Sequence, residues 1–301
     1  MKHIVVLMGG TTSESEVSMV TGEAVYKALI ELGYKATKLI FSDNFVADLK
    51  KLKPDAVFNA MHGKYGEDGS VPGCLDILKI PYTHSGLKSS AICMDKIVTK
   101  QICIESEIKT PPFVILRKND DKANQEKIDK IGKPFVIKPV NEGSSNGVEI
   151  VLEGHDFDIK RYNWKYGSTM IVEKYIKGKE IQVGILGDEA LGVLEVVPGN
   201  LFYDYESKYT SGKSQYIMPA RISDEQYERA MFVGRKCHRT LGCKSISRSE
   251  FILSDDGELY FLEINTHPGF TPNSIIPKIA AHKGMEFKQI VRYLINNTSY
   301  N

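Results

Sequence analysis

The chain has 301 residues, 42% of them hydrophobic and 26% charged. That balance excludes wholesale disorder, and the length, at roughly 100–200 residues per domain, implies two or three domains rather than one continuous core. Thirty-nine Lys and Arg against 38 Asp and Glu leave a net charge of +1, which supplies no general attraction to nucleic acid or to an anionic membrane.

No apolar run approaches the ~18 residues that a spanning helix needs. The run from Ile4 to Met8, ahead of Gly9-Gly10, is too short for a secretory core and reads as a strand covered on both faces. A helix should follow, with an apolar stripe through Val17, Val20, Ala24, Ala28 and Leu32 and with Gly33 as its left-handed cap. Residues 36–41 and 55–61 read as further strands, so the first part of the chain is expected to be an open parallel sheet built by a βαβ rhythm. A short helix over 95–106 ends ahead of Pro111-Pro112. Strand-like runs at 113–116, 135–140, 148–151 and 170–173, with one charged helical stretch over 119–130, outline a small separate α+β unit. Strands at 181–186 and 191–197 come next. Ser223 and Gln226 then stand at capping-box spacing, and the helix they open carries a stripe of Tyr227, Ala230, Met231, Gly234, Cys237 and Leu241. A hairpin and a final helix over 285–296 complete the chain. The five cysteines are odd in number and form no C-x-x-C, which points to a reducing compartment, the cytoplasm.

The strongest local signal is the hairpin over residues 249–265. Asp256-Gly257 between two apolar runs reads as a two-residue type I′ turn. That turn would pair Asp255 with Glu258, Ile252 with Phe261, Glu250 with Glu263 and Arg248 with Asn265, all on one face. The other face would carry Phe251, Leu253, Tyr260, Leu262 and Ile264. Directly opposed Cβ atoms lie ~4.5–5.5 Å apart, so two carboxylates carried there repel each other, and burying them demands a cation. Two carboxylates and an Asn carbonyl are hard oxygen donors, suited to Mg²⁺ shared with substrate phosphates. A pair of charges at a solvated strand end is the other reading the pattern allows.

Lys138-Pro-Val-Asn-Glu-Gly-Ser-Ser-Asn-Gly147 joins two strands and could cradle phosphates with successive N–H groups or be a plain hairpin loop. No P-loop is present, because Ser207 stands where Gly212-Lys213-Ser214 would require a glycine upstream, and no G-x-G-x-x-G follows the first strand. A dinucleotide oxidoreductase therefore loses its main support. Glu14 and Glu16 sit at a helix start, where capping alone would favour them. His62-Gly-Lys-Tyr-Gly-Glu-Asp-Gly69 lies just beyond the third strand, where open α/β sheets bind ligands.

Taken together, these segments resemble D-alanine–D-alanine ligase, a family of the ATP-grasp superfamily. The pieces that carry the resemblance are Gly9-Gly10 with Ser13-Glu-Ser-Glu-Val-Ser18; His62-Gly and Gly66-Glu-Asp-Gly69; Met94-Asp-Lys96; Lys138-Pro with Glu142-Gly-Ser-Ser145; Glu173-Lys174; Tyr203 with Lys208-Tyr209; Arg248-Ser-Glu250; and Glu263-Ile-Asn-Thr-His-Pro-Gly269. They span nearly the whole chain in order, and their number and order make the match specific. The resemblance implies a mixed α/β and α+β, three-domain ATP-grasp architecture: a Rossmann-like substrate domain over 1–86 with an open parallel sheet, then a two-lobed ATP-grasp module of a central domain over 87–174 and a C-terminal domain over 175–301. It implies ATP-dependent joining of two D-alanine molecules for peptidoglycan synthesis, a homodimer, and no nucleic-acid or membrane partner.

Carried over position by position, the resemblance makes Glu250, Glu263 and Asn265 ligands of two Mg²⁺ or Mn²⁺ ions, in line with the hairpin reading. Lys96 and Lys138 would bind phosphates. Glu173, Lys174 and Ile176 would border the adenine, Glu180 would hold the ribose, and Ser144 and Ser145 would close over the phosphates. Glu14 would anchor the ammonium of the first D-alanine, with His62 by its carboxylate, and Ser274 would hold the carboxylate of the second. Tyr209 and Ser144 would link to Glu14, Tyr203 would belong to a covering loop, and Lys208 on that loop would reach the γ-phosphate. Arg248 and the Gly269 N–H would stabilise the oxyanion. Glu250 stands where the family usually has Asp, and His267 where many members have Gln or Ser. Tyr209 favours the dipeptide over D-alanyl-D-lactate. A glutathione-synthetase-like ligase or a carboxylase would share Lys138, Glu250, Glu263 and Asn265 but not Glu14, His62 and the Lys208-Tyr209 loop. A regulatory module that has lost catalysis would not be expected to keep both carboxylates, Asn265 and Arg248.

Overall fold

A computed structural model describes residues 1–11, 14–198 and 214–300. Strand β1 (His3–Met8) lies at the centre of a parallel three-stranded sheet, between β2 (Lys35–Ile40) and β3 (Ala56–Asn59). All six β1 residues are buried, as its uninterrupted apolar run requires. Ile4, Val6 and Met8 point into a core shared with helix α1 (Ser15–Glu31), while Val5 and Leu7 face one shared with α2 (Phe45–Leu52) and α3 (Ser70–Leu78). The first core also takes Ile276, Ile279, Leu294 and Ile295 from α8 (Ile275–His282) and α9 (Phe287–Asn296), so the two ends of the chain share one apolar interior.

Helix α1 ends as expected, with the N–H of Tyr34 bonded to Leu29 O and Gly33 at φ +80. Its buried face, however, is rotated from the apolar stripe. Ser18, Thr21, Gly22, Val25, Ala28 and Leu29 are buried, and Val20 is 59% exposed. Two hydroxyls misdirect the pattern. Ser18 Oγ accepts from the Gly9 N–H at 2.8 Å and donates to Ala60 O at 2.9 Å, and Thr21 Oγ1 lies 3.0 Å from His62 Nε2. A polar side chain with partners in the interior is buried without breaking the fold, so hydrophobicity alone places the face wrongly.

Helices α4 (Leu87–Met94) and α5 (Lys96–Glu105) lead into the middle of the chain, and Asp95 caps α5 by accepting from the N–H groups of Ile97 and Val98. An antiparallel four-stranded sheet follows in the order β4 (Phe113–Arg117), β7 (Thr169–Lys174), β5 (Phe135–Pro139), β6 (Glu149–Val151), with α6 (Asp121–Ile131) packed on it. A second antiparallel sheet has five strands in the order β10 (Ser214–Ile217), β9 (Glu189–Pro198), β8 (Gly178–Leu186), β11 (Ile246–Ser254), β12 (Leu259–Asn265). Helix α7 (Asp224–Thr240) covers one face of it and opens with the Ser223–Gln226 capping box. The short α2, α3, α4 and α8 and the edge strand β10 go beyond the elements expected from periodicity.

The β11–β12 hairpin departs from its expected form twice. Its reversal is a three-residue loop, Asp255-Asp256-Gly257, with Ser254 N–H bonded to Glu258 O and Gly257 at φ +85. Near the loop the pairing is therefore displaced by one: Ile252 faces Tyr260 and Phe251 faces Phe261. A bulge then takes up the extra residue, Leu262, and restores the expected Glu250–Glu263 and Arg248–Asn265 pairs. Phe261 and Leu259 consequently join Phe251, Leu253 and Ile264 in the core, while Leu262 turns to the opposite face with Ile252. No helix among the described residues is long and apolar enough to cross a membrane, and the five cysteines are unbridged.

Candidate active site

The four- and five-stranded sheets enclose an open cleft of 590 Å³. Its floor is the face of β11 and β12 that carries Glu250 and Glu263. These carboxylates occupy directly paired positions, and Glu250 is only 4% exposed. Two cations stand over them. Arg248 Nη2 is 2.6 Å from Glu250 Oε1, and Lys96 Nζ is 3.4 Å from Glu263 Oε2. The alternative of two charges at a wet strand end is thereby set aside. Asn265 Oδ1 accepts from the His267 N–H at 2.6 Å, which fixes the carboxamide. A carbonyl oxygen has two lone pairs, so this bond leaves room for a cation. Two nearby carboxylates and a carbonyl oxygen form a hard donor set that fits a divalent ion of the Mg²⁺ class.

The cleft wall holds a buried charge triad. Glu173 on β7 is 2% exposed, with Oε2 at 2.8 Å from Lys138 Nζ and Oε1 at 3.0 Å from Lys100 Nζ. Burial pushes the Glu173 carboxyl up, but the two ammonium groups, Lys100 first, overcome it and hold the group below its ordinary value. Lys174 and Ile176 line the same cleft along the chain that leads from β7 into β8. The Lys174 side chain turns away, to the carbonyls of Gly132 and Lys133 at 3.3 and 2.9 Å. It is therefore this residue's backbone that borders the space. Glu180 lines the cleft and accepts from Gln182 Nε2 at 3.2 Å.

The loop between β5 and β6 closes one end. Ser144 and Ser145 adopt φ of +53 and +58, a left-handed conformation that residues with a Cβ seldom take and that clusters at ligand sites. Ser145 lines the cleft, and Lys96 Nζ donates to Glu142 O at 2.6 Å, tying the loop to α5. Ser144 Oγ bonds Glu14 Oε1 at 2.5 Å, so this loop joins the nucleotide-sized cleft to the start of α1. Burial, then the charge of Glu67, push the Glu14 carboxyl up, against the Ser144 bond and His62. His62 sits between Thr21 Oγ1 at 3.0 Å and Glu67 Oε1 at 3.1 Å. Ser274 Oγ accepts from the Thr271 N–H at 2.9 Å and lies 3.5 Å from where a Cβ on Gly269 would be, so these two expected residues are adjacent.

The structure thus assembles Lys96, Glu250, Glu263, Asn265 and Arg248 at one centre, Lys138 and Glu173 at a second, Ser144 and Glu14 at a third, and Gly269 with Ser274 at a fourth. Tyr203, Lys208 and Tyr209, and with them the proposed Tyr209–Ser144 link, lie outside the described residues. Sequence reasoning missed three features. Lys100 has a local signal, its four-residue spacing from Lys96 on one helix. Glu195, which lines the cleft and is held by Arg221 Nε and Nη2 at 3.0 and 2.7 Å, has none. His267 was noticed without a role. Its Nε2 meets Asn59 O at 2.9 Å and its ring stacks on His84 with centroids 3.7 Å apart, fastening the turn between Asn265 and Gly269 to the end of β3.

Two antiparallel sheets closing on a cleft floored by paired acids and walled by lysines are the ATP-grasp arrangement. A family model described as the D-Ala D-Ala ligase C-terminus matches residues 102–296. A D-alanine–D-alanine ligase of Rickettsia felis is 46% identical over 301 residues, covering 99% of this chain and 92% of that protein. Among solved structures, the Bacillus anthracis D-alanine–D-alanine ligase complexed with ATP superposes with a TM-score of 0.84 at 31% identity, covering 98% of this chain and 97% of that one. The VanG D-Ala:D-Ser ligase of Enterococcus faecalis gives 0.85 at 29% identity, covering 98% of each chain. The chain belongs to the D-alanine–D-alanine ligase family.

Proposed function

We propose that the chain joins two molecules of D-alanine into D-alanyl-D-alanine, using ATP and releasing ADP and phosphate, for peptidoglycan synthesis. The observation that carries this reading is the Glu250–Glu263 pair on the floor of a cleft whose closing loop bonds Glu14 through Ser144. The adenine lies along Lys174 and Ile176 beside Glu173, the ribose at Glu180, and the phosphates beneath Lys96, Lys138, Ser144 and Ser145. Glu250, Glu263 and Asn265 would hold two Mg²⁺ or Mn²⁺ ions, which would supply charge neutralisation during phosphoryl transfer.

Glu14 anchors the ammonium of the first D-alanine and His62 approaches its carboxylate. The γ-phosphoryl group passes to a carboxylate oxygen, the bond to the β–γ bridging oxygen breaks, and D-alanyl phosphate and ADP result. Ser274 holds the carboxylate of the second D-alanine. Its ammonium first gives up a proton by way of Ser144 and Tyr209; the neutral amine then attacks the acyl carbon, the bond from that carbon to the phosphate oxygen breaks, and the departing phosphate takes the second amine proton. Arg248 and the Gly269 N–H stabilise the oxyanion formed in that attack. Lys208 and Tyr203 lie outside the described residues; the roles the family resemblance gives them, reaching the γ-phosphate and keeping water from the acyl phosphate, are part of the proposal.

The proposed division at residues 86 and 174 is supported by the sheets, because each of the three lies within one of the resulting segments. A homodimer in the cytoplasm completes the proposal, and light scattering of the purified chain tests its oligomeric part. The central test is phosphate release from Mg²⁺–ATP with D-alanine, D-serine, L-alanine or glutamate supplied singly. Release should require D-alanine. Equal release with L-alanine or glutamate, or with no amino acid, would overturn the assignment.

A further inference from the structure

Helix α5 carries Lys96 and Lys100 four residues apart, on one face of the helix. Lys96 is absorbed by the nucleotide reading, whereas Lys100 is not. Its side chain is fully buried, and its Nζ has two partners on two different sheets: Glu173 Oε1 on β7 at 3.0 Å and Phe261 O on β12 at 3.4 Å. Phe261 immediately precedes the bulged Leu262, which precedes Glu263. Glu173 meanwhile offers its other oxygen to Lys138, the lysine that faces the cleft.

Burying an ammonium is costly, and an apolar side chain of similar volume would fill the same space without that cost. Burial lowers the Lys100 pKa to about 8 against the upward pull of Glu173, so the ammonium is still the main form at neutral pH. The triad of two lysines and one glutamate therefore carries a net positive charge, and the only member not needed at the cleft surface is the one sealed inside.

We propose that Lys100 is a positioning residue for nucleotide binding: it takes up half of the Glu173 carboxylate, leaves the Lys138 ammonium only partly compensated and so available to phosphate, and ties that lysine to the strand presenting Glu263. Without Lys100, Glu173 and Lys138 form a closed neutral pair, and the local charge offered to a triphosphate falls from +1 to zero. The inference rests on the reading that this cleft takes ATP.

The test compares wild type with Lys100→Met, which keeps the length of the stem, and uses ATP and adenosine as paired probes in the same calorimetry, because only ATP carries phosphates for Lys138 to attract. ATP dissociation constants are measured calorimetrically with Mg²⁺ present, and kcat and both KM values at neutral pH. Lys100→Met should raise the ATP dissociation constant at least tenfold, with kcat at saturating ATP and the KM for D-alanine within threefold of wild type. Adenosine, which carries no phosphate, should bind Lys100→Met within threefold of wild type. A role in folding alone would lower thermal stability and weaken ATP and adenosine alike. If Lys100→Met does not fold, Lys100→Gln, which keeps a donor toward Glu173 and Phe261 O, replaces it under the same criteria. A folded Lys100 variant that binds ATP as wild type does, or one that weakens adenosine as much as ATP, overturns the inference alone. A wild-type protein that binds no ATP overturns it together with the functional reading.

Discussion

Replacing Arg248 by Ala should separate two effects that meet at one guanidinium. Its Nη2 is 2.6 Å from Glu250 Oε1, and both side chains are largely buried, at 15% and 5% exposed. Truncating one partner of a buried ion pair typically costs ~3 kcal/mol or more. At roughly 2–4 °C per kcal/mol for a chain of this order of size, the melting temperature should fall by about 6–12 °C. Mg²⁺ should return part of that loss, because a cation at Glu250 replaces the missing positive charge. Catalysis should not return with it. Loss of an oxyanion donor typically lowers turnover ~10²–10³-fold, and a metal held by Glu250 would not supply the donor proposed for Arg248. The measurements are differential scanning fluorimetry with and without Mg²⁺, ATP binding by calorimetry, and phosphate release with D-alanine. Turnover within a fewfold of wild type would remove Arg248 from the oxyanion role. A melting temperature unchanged in the absence of Mg²⁺ would show that Glu250 does not depend on it.

Glu263→Gln should abolish metal-dependent ATP turnover while the chain still folds, and full activity with Mg²⁺ in that variant would mean the two-carboxylate site is misassigned. Because burial and Glu67 raise the Glu14 pKa, the carboxylate proposed to anchor the first ammonium should be lost at a higher pH than for an ordinary glutamate. The kcat/KM for D-alanine should therefore fall on acidification earlier than 4.5 would predict, and a profile flat through that range would count against Glu14 as the anchor. The imidazole of His267 is held neutral by burial, with a pKa of about 4 against 6.5 unfolded. Only the unfolded chain takes up that proton between these values, so the folded state loses stability as pH falls from about 6.5 to about 4, by roughly 3 kcal/mol at most. Urea titrations of wild type and His267→Gln over this range should show a shallower acid loss in the variant; parallel curves would contradict the assignment. Gly22→Ala would place a Cβ 2.7 Å from Met8 Cβ. Overpacking of ~1–3 kcal/mol then exceeds the ~1 kcal/mol gained in helix propensity, and a raised urea midpoint would refute this balance.

Much of the fold was legible because its signals are local. The apolar run of β1, the left-handed Gly33 and the Ser223–Gln226 box each depend on a few consecutive residues, and each appears as expected. The Glu250–Glu263 pairing was legible for a different reason. The loop holds one residue more than expected and the bulge at Leu262 absorbs it, so two departures cancel at the carboxylates while the residues between them change faces. The face of α1 was not legible, because Ser18 and Thr21 are buried by partners 42 and 41 residues away.

The sequence by itself determined the element types along most of the chain and the family, and it singled out the residues proposed for metal and phosphate. Those follow from short-range backbone preferences and from chemistry-bearing side chains in a fixed order. Only the tertiary structure decided that Lys100 is sealed between two sheets and that Ser144 meets Glu14. A charge becomes buried or exposed through the elements packed over it, and the carbonyl that receives Lys100 lies 161 residues farther along the chain.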